Sequence, residues 1–139
     1  MQSIMTPLLV LVCWTLIMWI WLYATRIPAM QKAGIDAAKI KQKGELDVLP
    51  LSARQVADNY NHLHEQPVIF YALCLYSHTV GVVDTVTIGA AWAYVALRIV
   101  HSVFQSTVNF VPARFGIFAL ASIALFVMAG ANVLGLLAS

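Results

Sequence analysis

Charged residues are scarce in this chain: only 10% of its 139 residues are Asp, Glu, Lys or Arg, against 61% that are hydrophobic. A soluble domain carries about 25% charged residues, so the composition excludes an ordinary water-facing surface and requires a lipid-facing one. Cysteine is equally sparse. Cys13 and Cys74 fall inside apolar runs, which removes a structural disulfide and any redox motif and leaves both as small packing residues. No positive segment precedes the first apolar run, Pro7 to Tyr23, and that run is too long for the core of a secretory signal, so it is expected to remain as a span. Glycine-rich phosphate cradles are absent, and the lysines lack aromatic stacking partners, so nucleic acid is not an expected partner.

What the chain does contain is enough apolar sequence for four spans of about 20 residues each. The expected fold is therefore an all-α integral membrane protein, a four-helix transmembrane bundle occupying residues 1–139 as one domain. Its spans are expected at about 7–24, 52–80, 85–105 and 112–137. Six of the eight Lys and Arg residues lie between Arg26 and Arg54. Short basic loops stay on the cytoplasmic side, so loop 27–51 is expected there and both termini on the opposite face. Trp14, Trp19, Trp21 and Tyr23 suit the interfacial end of the first span, and Arg26 just beyond it suits a side chain that snorkels to the headgroups. Within the loop, Ile35, Ala38 and Ile40 alternate with lysines as in a short interfacial helix, although a solvated basic loop is the simpler reading. The fourth span is dense in small residues, including Gly116, Ala121, Gly130 and Gly135, which permit close helix approach where lipid supplies no hydrophobic drive.

The stretch Arg54 to Phe70, RQVADNYNHLHEQPVIF, begins polar and ends apolar. Helical spacing puts Arg54, Asp58, Asn61 or His62, and Glu65 on one face. Pro67 has no amide hydrogen to donate, so a kink is expected just past Glu65. On the third span Arg98, His101 and Gln105 share a face at i, i+3 and i+7. With the expected topology, Asp58, Asn61, His62, Glu65, Arg98, His101, Gln105 and Arg114 gather at the cytoplasmic end of the bundle. Charges inside spans are costly and either pair with one another or line a site. Two readings stand side by side. One is a structural Glu65–Arg98 ion pair with His101 and Asn61 as hydrogen-bond partners. The other is a pocket for an anionic small molecule, in which arginines hold carboxylates and Glu65 takes an ammonium group. A metal site is disfavoured, because His62 and His64 point roughly 200° apart on a helix and cannot share an ion. No arrangement for nucleophilic catalysis is visible.

The segments NYNHLHEQPVIFYALCLY and AWAYVALRIVHSVFQSTVNFVPARF resemble the MAPEG family, the membrane-associated proteins in eicosanoid and glutathione metabolism, and look most like a divergent bacterial branch of it. The resemblance implies a homotrimer of four-helix subunits, in a bacterial inner membrane, with glutathione between neighbouring subunits near the cytoplasmic face. By matching position it implies cofactor-binding roles for Glu65 and Arg98, with Asn61, His62 and Gln105 at adjoining places in the site. Arg26 matches a basic residue that ends the first span in glutathione-using members. Catalytic roles fall to His101 and to Arg114, the latter holding or activating the thiolate. This chain departs from the family pattern where Asp58, Asn61 and His62 replace an R-x-x-R/N run, where Gln105 and Phe118 replace tyrosines, and where Phe115 stands in place of a hydroxyl-bearing residue. The expected function is a glutathione-dependent transferase or peroxidase acting on lipophilic electrophiles from the bilayer. A non-catalytic lipid-binding trimer, or an accessory subunit of a larger membrane complex, is the alternative.

Overall fold

The computed structural model describes residues 3–35, 49–108 and 110–138. Among them the chain forms five helices and no strand: α1 (Met5–Ala33), α2 (Leu51–His62), α3 (Pro67–Val80), α4 (Thr85–Ser106) and α5 (Val111–Ala138). Three of these, α1, α4 and α5, are long and apolar enough to cross a membrane. The interfacial helix considered around Ile35 to Ile40 lies largely outside the described residues.

The first helix is longer than its apolar run. It passes through Pro28 to Ala33 and is closed by Gly34 at φ 72°, whose amide donates to the carbonyls of Gln31 and Met30. Only a residue tolerant of positive φ ends a helix this way at little cost. The expected loop start at residue 27 is thus corrected, because A-M-Q-K-A after Pro28 are good helix formers and one lost backbone bond does not stop them. Arg26 consequently sits on α1, seven residues before its end, and the aromatic group Trp14 to Tyr23 lies mid-helix.

The expected second span is two helices. α2 stops at His62, residues 63–66 form a turn, and α3 restarts with Pro67 at its first position, where the missing amide costs nothing. The break therefore precedes Pro67 and includes Glu65, in place of the single kink beyond Glu65 that the sequence predicts. Its backbone is satisfied locally: His64 N–H donates to Asn61 O at 3.0 Å and Glu65 N–H to His62 O at 3.1 Å. One side-chain chain pins the turn to the bundle. Tyr94 OH donates to Gln66 Oε1 at 3.1 Å, and Gln66 Nε2 donates to Ser122 Oγ at 2.7 Å. α3 itself has 14 residues, roughly 21 Å at ~1.5 Å per residue.

The core joins Leu11, Met18 and Leu22 of α1, Val56 of α2, Phe70 and Cys74 of α3, Tyr94 of α4, and Ala121, Ala124 and Met128 of α5. α4 and α5 make the most extensive pairing in the fold, and both bury alanines, Ala91 on α4 and Ala121 and Ala124 on α5, small residues of the kind that permit close helix approach. Cys74 is buried in the core as expected, whereas Cys13 is exposed on α1. Large apolar side chains such as Leu9, Ile20, Phe126 and Leu134 point outward, as a lipid-facing surface requires.

α4 begins with a reciprocal capping box. Thr87 N–H donates to Asp84 Oδ1 and Asp84 N–H donates to Thr87 Oγ1, both at 2.9 Å. The Thr87 amide holds the Asp84 carboxyl below its ordinary value of 3.8. Because the folded value is the lower one, this stabilisation is complete above the ordinary aspartate range and is lost as pH falls through the folded value. Asp84→Ala is expected to lower the melting temperature in detergent at pH 7, and the gap from the parent protein should narrow as pH falls below the ordinary aspartate range. A constant gap across that range would show that the carboxylate is not responsible.

Candidate functional site

α2 and α4 run antiparallel and are tied at both ends of their contact. At one end Gln55 Nε2 donates to Thr107 O at 3.4 Å; at the other Arg98 Nη2 donates to His62 Nδ1 at 2.9 Å. Arg98 is fully buried at 0% exposure, on the inward face of α4. A guanidinium has only donors, so His62 Nδ1 must accept. That fixes the neutral ring with its proton on Nε2. The Glu65–Arg98 ion pair expected from helical spacing is therefore not formed: Glu65 lies exposed in the turn, and Arg98 takes the imidazole instead. The reason is local, since α2 ends at His62 and the turn carries Glu65 off the face it would have shared in an unbroken helix.

The His62 ring stacks on His101, centroids 5.0 Å apart and 17° from parallel, and Phe118 of α5 lies against His62 with centroids 5.4 Å apart. These three rings, with Arg114, Val111 and Phe115, line a cavity of about 170 Å³ where the end of α2 meets the start of α5. Arg114 stands in the first turn of α5 and is half-buried. His101 is 2% exposed.

Of the residues singled out from sequence, His62, His101 and Arg114 come together on this cavity, with Arg98 directly behind His62. Asn61 and Glu65 are exposed beside it, as is Asp58. Gln105 is buried further along α4 and does not line the cavity, and Arg26 is on α1, away from its lining. Sequence reasoning misses Asn59 of α2 and Ser102 and Ser106 of α4, all buried, and the Tyr94–Gln66–Ser122 link. A signal for the two serines exists. Ser102 and Ser106 continue the polar face of Arg98, His101 and Gln105, at i+4 and i+8 from Arg98.

The model of the MAPEG family matches residues 4–134, nearly the whole chain. The protein belongs to the MAPEG family. Comparison with curated proteins and with solved structures gave no match. In this MAPEG chain the family match extends over all five helices and so takes in every residue of the cavity, including the two histidines and Arg114.

Proposed function

We propose that this MAPEG protein is a glutathione-dependent transferase or peroxidase acting on lipophilic electrophiles, with the α2–α3 pair as its fourth membrane crossing. The observation that carries the reading is a cavity with a cation, Arg114, on its wall and a second, Arg98, buried behind His62 and hydrogen-bonded there to an imidazole rather than a carboxylate. Two positive charges at a partly desolvated site attract an anion and favour a thiolate over a thiol. Glutathione would supply the nucleophilic sulfur and the carboxylates. Arg114 would face the thiolate or a carboxylate, His62 offers its Nε2–H as a donor, and the neutral His101 ring, stacked on His62, holds that donor in place. In the transferase reaction the thiol proton leaves to water, the thiolate forms the C–S bond, and the displaced group departs with the electron pair of its own bond; in the peroxidase reaction the thiolate takes one peroxide oxygen as the O–O bond breaks to release an alcohol, and a second glutathione returns the first as disulfide and water.

The cavity supports an assembled site. Its volume of about 170 Å³ is below the roughly 300–1,000 Å³ of typical ligand pockets, so one protomer alone does not enclose a tripeptide. The exposed polar strip of Asp58, Asn61 and Glu65 beside it is costly in lipid, and a neighbouring subunit would cover it. MAPEG members are often trimers and generally use glutathione. We place the basic 27–51 segment, and with it this end of the bundle, on the cytoplasmic face of a bacterial inner membrane. Arg26 would then reach the glutathione of a neighbouring protomer.

Calorimetric titration of glutathione into the detergent-purified protein at pH 7 tests the reading, with Arg98→Ala/His101→Ala as control. Saturable heat that the double substitution removes is expected; no binding at millimolar glutathione would overturn it. Arg114→Ala is expected to lower conjugation about 100-fold, as removal of a single oxyanion donor does elsewhere, with the trimer intact by light scattering. Unchanged turnover would remove Arg114 from the chemistry.

A second reading, a lipid-binding trimer without catalysis, is favoured by a separate groove of about 270 Å³ between α3 and α5. Ile69, Leu73, Leu125 and Phe126 line it, and Gln66 with Ser122 marks its polar end. Native mass spectrometry that retains a stoichiometric lipid while glutathione fails to bind would select this reading.

A further inference from the structure

The interior between α2 and α4 is more polar than a lipid-embedded contact ordinarily permits. Among the described residues, ten buried side-chain nitrogen and oxygen atoms have no protein partner. Eight of them belong to Asn59 of α2 and to one stripe of α4: Nδ2 and Oδ1 of Asn59, Nε and Nη1 of Arg98, Nδ1 of His101, and Oε1 of Gln105, with the hydroxyls of Ser102 and Ser106. Their positions are not scattered. On α4 the spacing of Arg98, His101, Ser102, Gln105 and Ser106 draws a single stripe, and on α2 Asn59 falls between the two ties that bind the helices, Gln55–Thr107 and His62–Arg98. All six residues are buried, Asn59, Arg98 and Ser102 at 0% exposure.

Leaving one such group unsatisfied costs about 1–3 kcal/mol, so eight together are incompatible with a dry seam. The chemistry of the stripe selects the occupant. Arg98 offers only donors, Gln105 Oε1 and Asn59 Oδ1 only accept, and the serine hydroxyls and the His101 ring do either according to orientation. A halide beside Arg98 would leave the amide oxygens unmet. A metal cation would be repelled by the guanidinium. Only a molecule that both donates and accepts serves every member of the stripe.

We propose that the α2–α4 seam binds a file of about three water molecules, each making about three hydrogen bonds, which links the His62–His101 cavity to the Gln55–Thr107 end of the bundle. The distance is short, seven residues of α2 or nine of α4, about 11–14 Å. His101 belongs to both places, lining the cavity with its ring and carrying one of the seam's unpartnered nitrogens. On the functional reading above, on which this last part rests, the file carries the thiol proton from the cavity out to the membrane surface without passing through lipid.

Water-edited solid-state NMR on the full chain in phosphatidylcholine vesicles, without glutathione, tests the seam itself. Magnetisation from water is expected to reach the Asn59, Ser102 and Ser106 side chains severalfold faster than Leu125 and Met128, which are equally buried on α5. Build-up at Asn59 and Ser102 as slow as at Leu125 would overturn the proposal. Ser102→Ala/Ser106→Ala removes two stations conservatively and should slow the build-up at Asn59; an unaltered rate would also count against a continuous file. The proton role is read separately, as dye-detected proton release on mixing with glutathione. The double variant is expected to keep the glutathione affinity and release the proton severalfold more slowly, and equal rates would overturn that role. Absence of glutathione binding would defeat the functional reading and the proton role with it, while the NMR result would still decide whether the seam holds water.

Discussion

Arg98→Met is expected to raise the thermal stability of the detergent-purified protein and, on the proposed function, to weaken glutathione binding about tenfold, about 1.4 kcal/mol. The two effects have opposite signs because Arg98 contributes to the site at the expense of the fold. On insertion scales an arginine at membrane depth costs about 2.5–3.5 kcal/mol, and here its hydrogen bond goes to a neutral imidazole rather than to a carboxylate that would offset the charge. Methionine keeps much of the side-chain volume and adapts to irregular packing. Against this, His62 Nδ1 loses its partner, a loss of about 1–3 kcal/mol, so the net gain is about 1 kcal/mol. Binding falls because the positive potential behind the cavity disappears and the imidazole is free to change tautomer. Thermal unfolding and glutathione calorimetry on the same preparation measure both. A variant that melts lower and binds normally would mean that Arg98 is a structural tie alone.

Tyr94→Ala is expected to destabilise the bundle by about 3 kcal/mol, toward the lower end for truncating a buried aromatic. Tyr94 is at 0% exposure, its ring is stacked on Phe70 with centroids 4.7 Å apart, and its hydroxyl holds Gln66. In lipid the solvent-transfer part of the loss is small, and what remains is the cavity and the lost dispersion contacts. Tyr94→Phe separates the components. It keeps the stacking and removes only the hydrogen bond, so about 1 kcal/mol is expected. Because that bond anchors the turn between α2 and α3, Tyr94→Phe should also speed hydrogen exchange at the Glu65 and Gln66 amides. Equal losses in both variants would place the whole contribution in the hydrogen bond, and an unaltered exchange rate would separate Tyr94 from the turn.

Much of this arrangement is readable from residues alone, and the failures have specific causes. The periodicity of Arg98, His101 and Gln105 correctly puts them on one inward face of α4, since a stripe at 3.6-residue spacing is a property of the helix itself. Apolar run length locates α4 and α5 closely. It misjudges α1, whose helix outlasts its hydrophobic stretch, because helix formation and lipid contact are separate properties and the residues after Pro28 need only the first. The α2–α3 break is misplaced for a related reason. Pro67 signals that a helix starts or bends nearby, yet a proline at a first helical position also allows the preceding four residues to leave the helix altogether. From that single displacement follows the wrong partner for Arg98. Asn59 is unreadable, because nothing in its immediate sequence says whether it faces the bundle interior or its surroundings.

The shortness of α3 has a consequence for the surrounding lipid. Within the proposed α2–α3 crossing only α3 is apolar along its whole length, and at roughly 21 Å it falls about 9 Å short of a hydrocarbon layer of about 30 Å. Such a hydrophobic mismatch costs fractions of a kcal/mol per Å and is relieved when the bilayer thins locally and headgroups descend along one side of the protein. Next to the turn at residues 63–66, the aqueous boundary is thereby drawn down to the depth of His62. On the proposed function, a water-soluble thiol and a lipid-dissolved electrophile, which otherwise occupy different layers, would meet at the same level there, and the protein would be favoured in thinner bilayers over thicker ones.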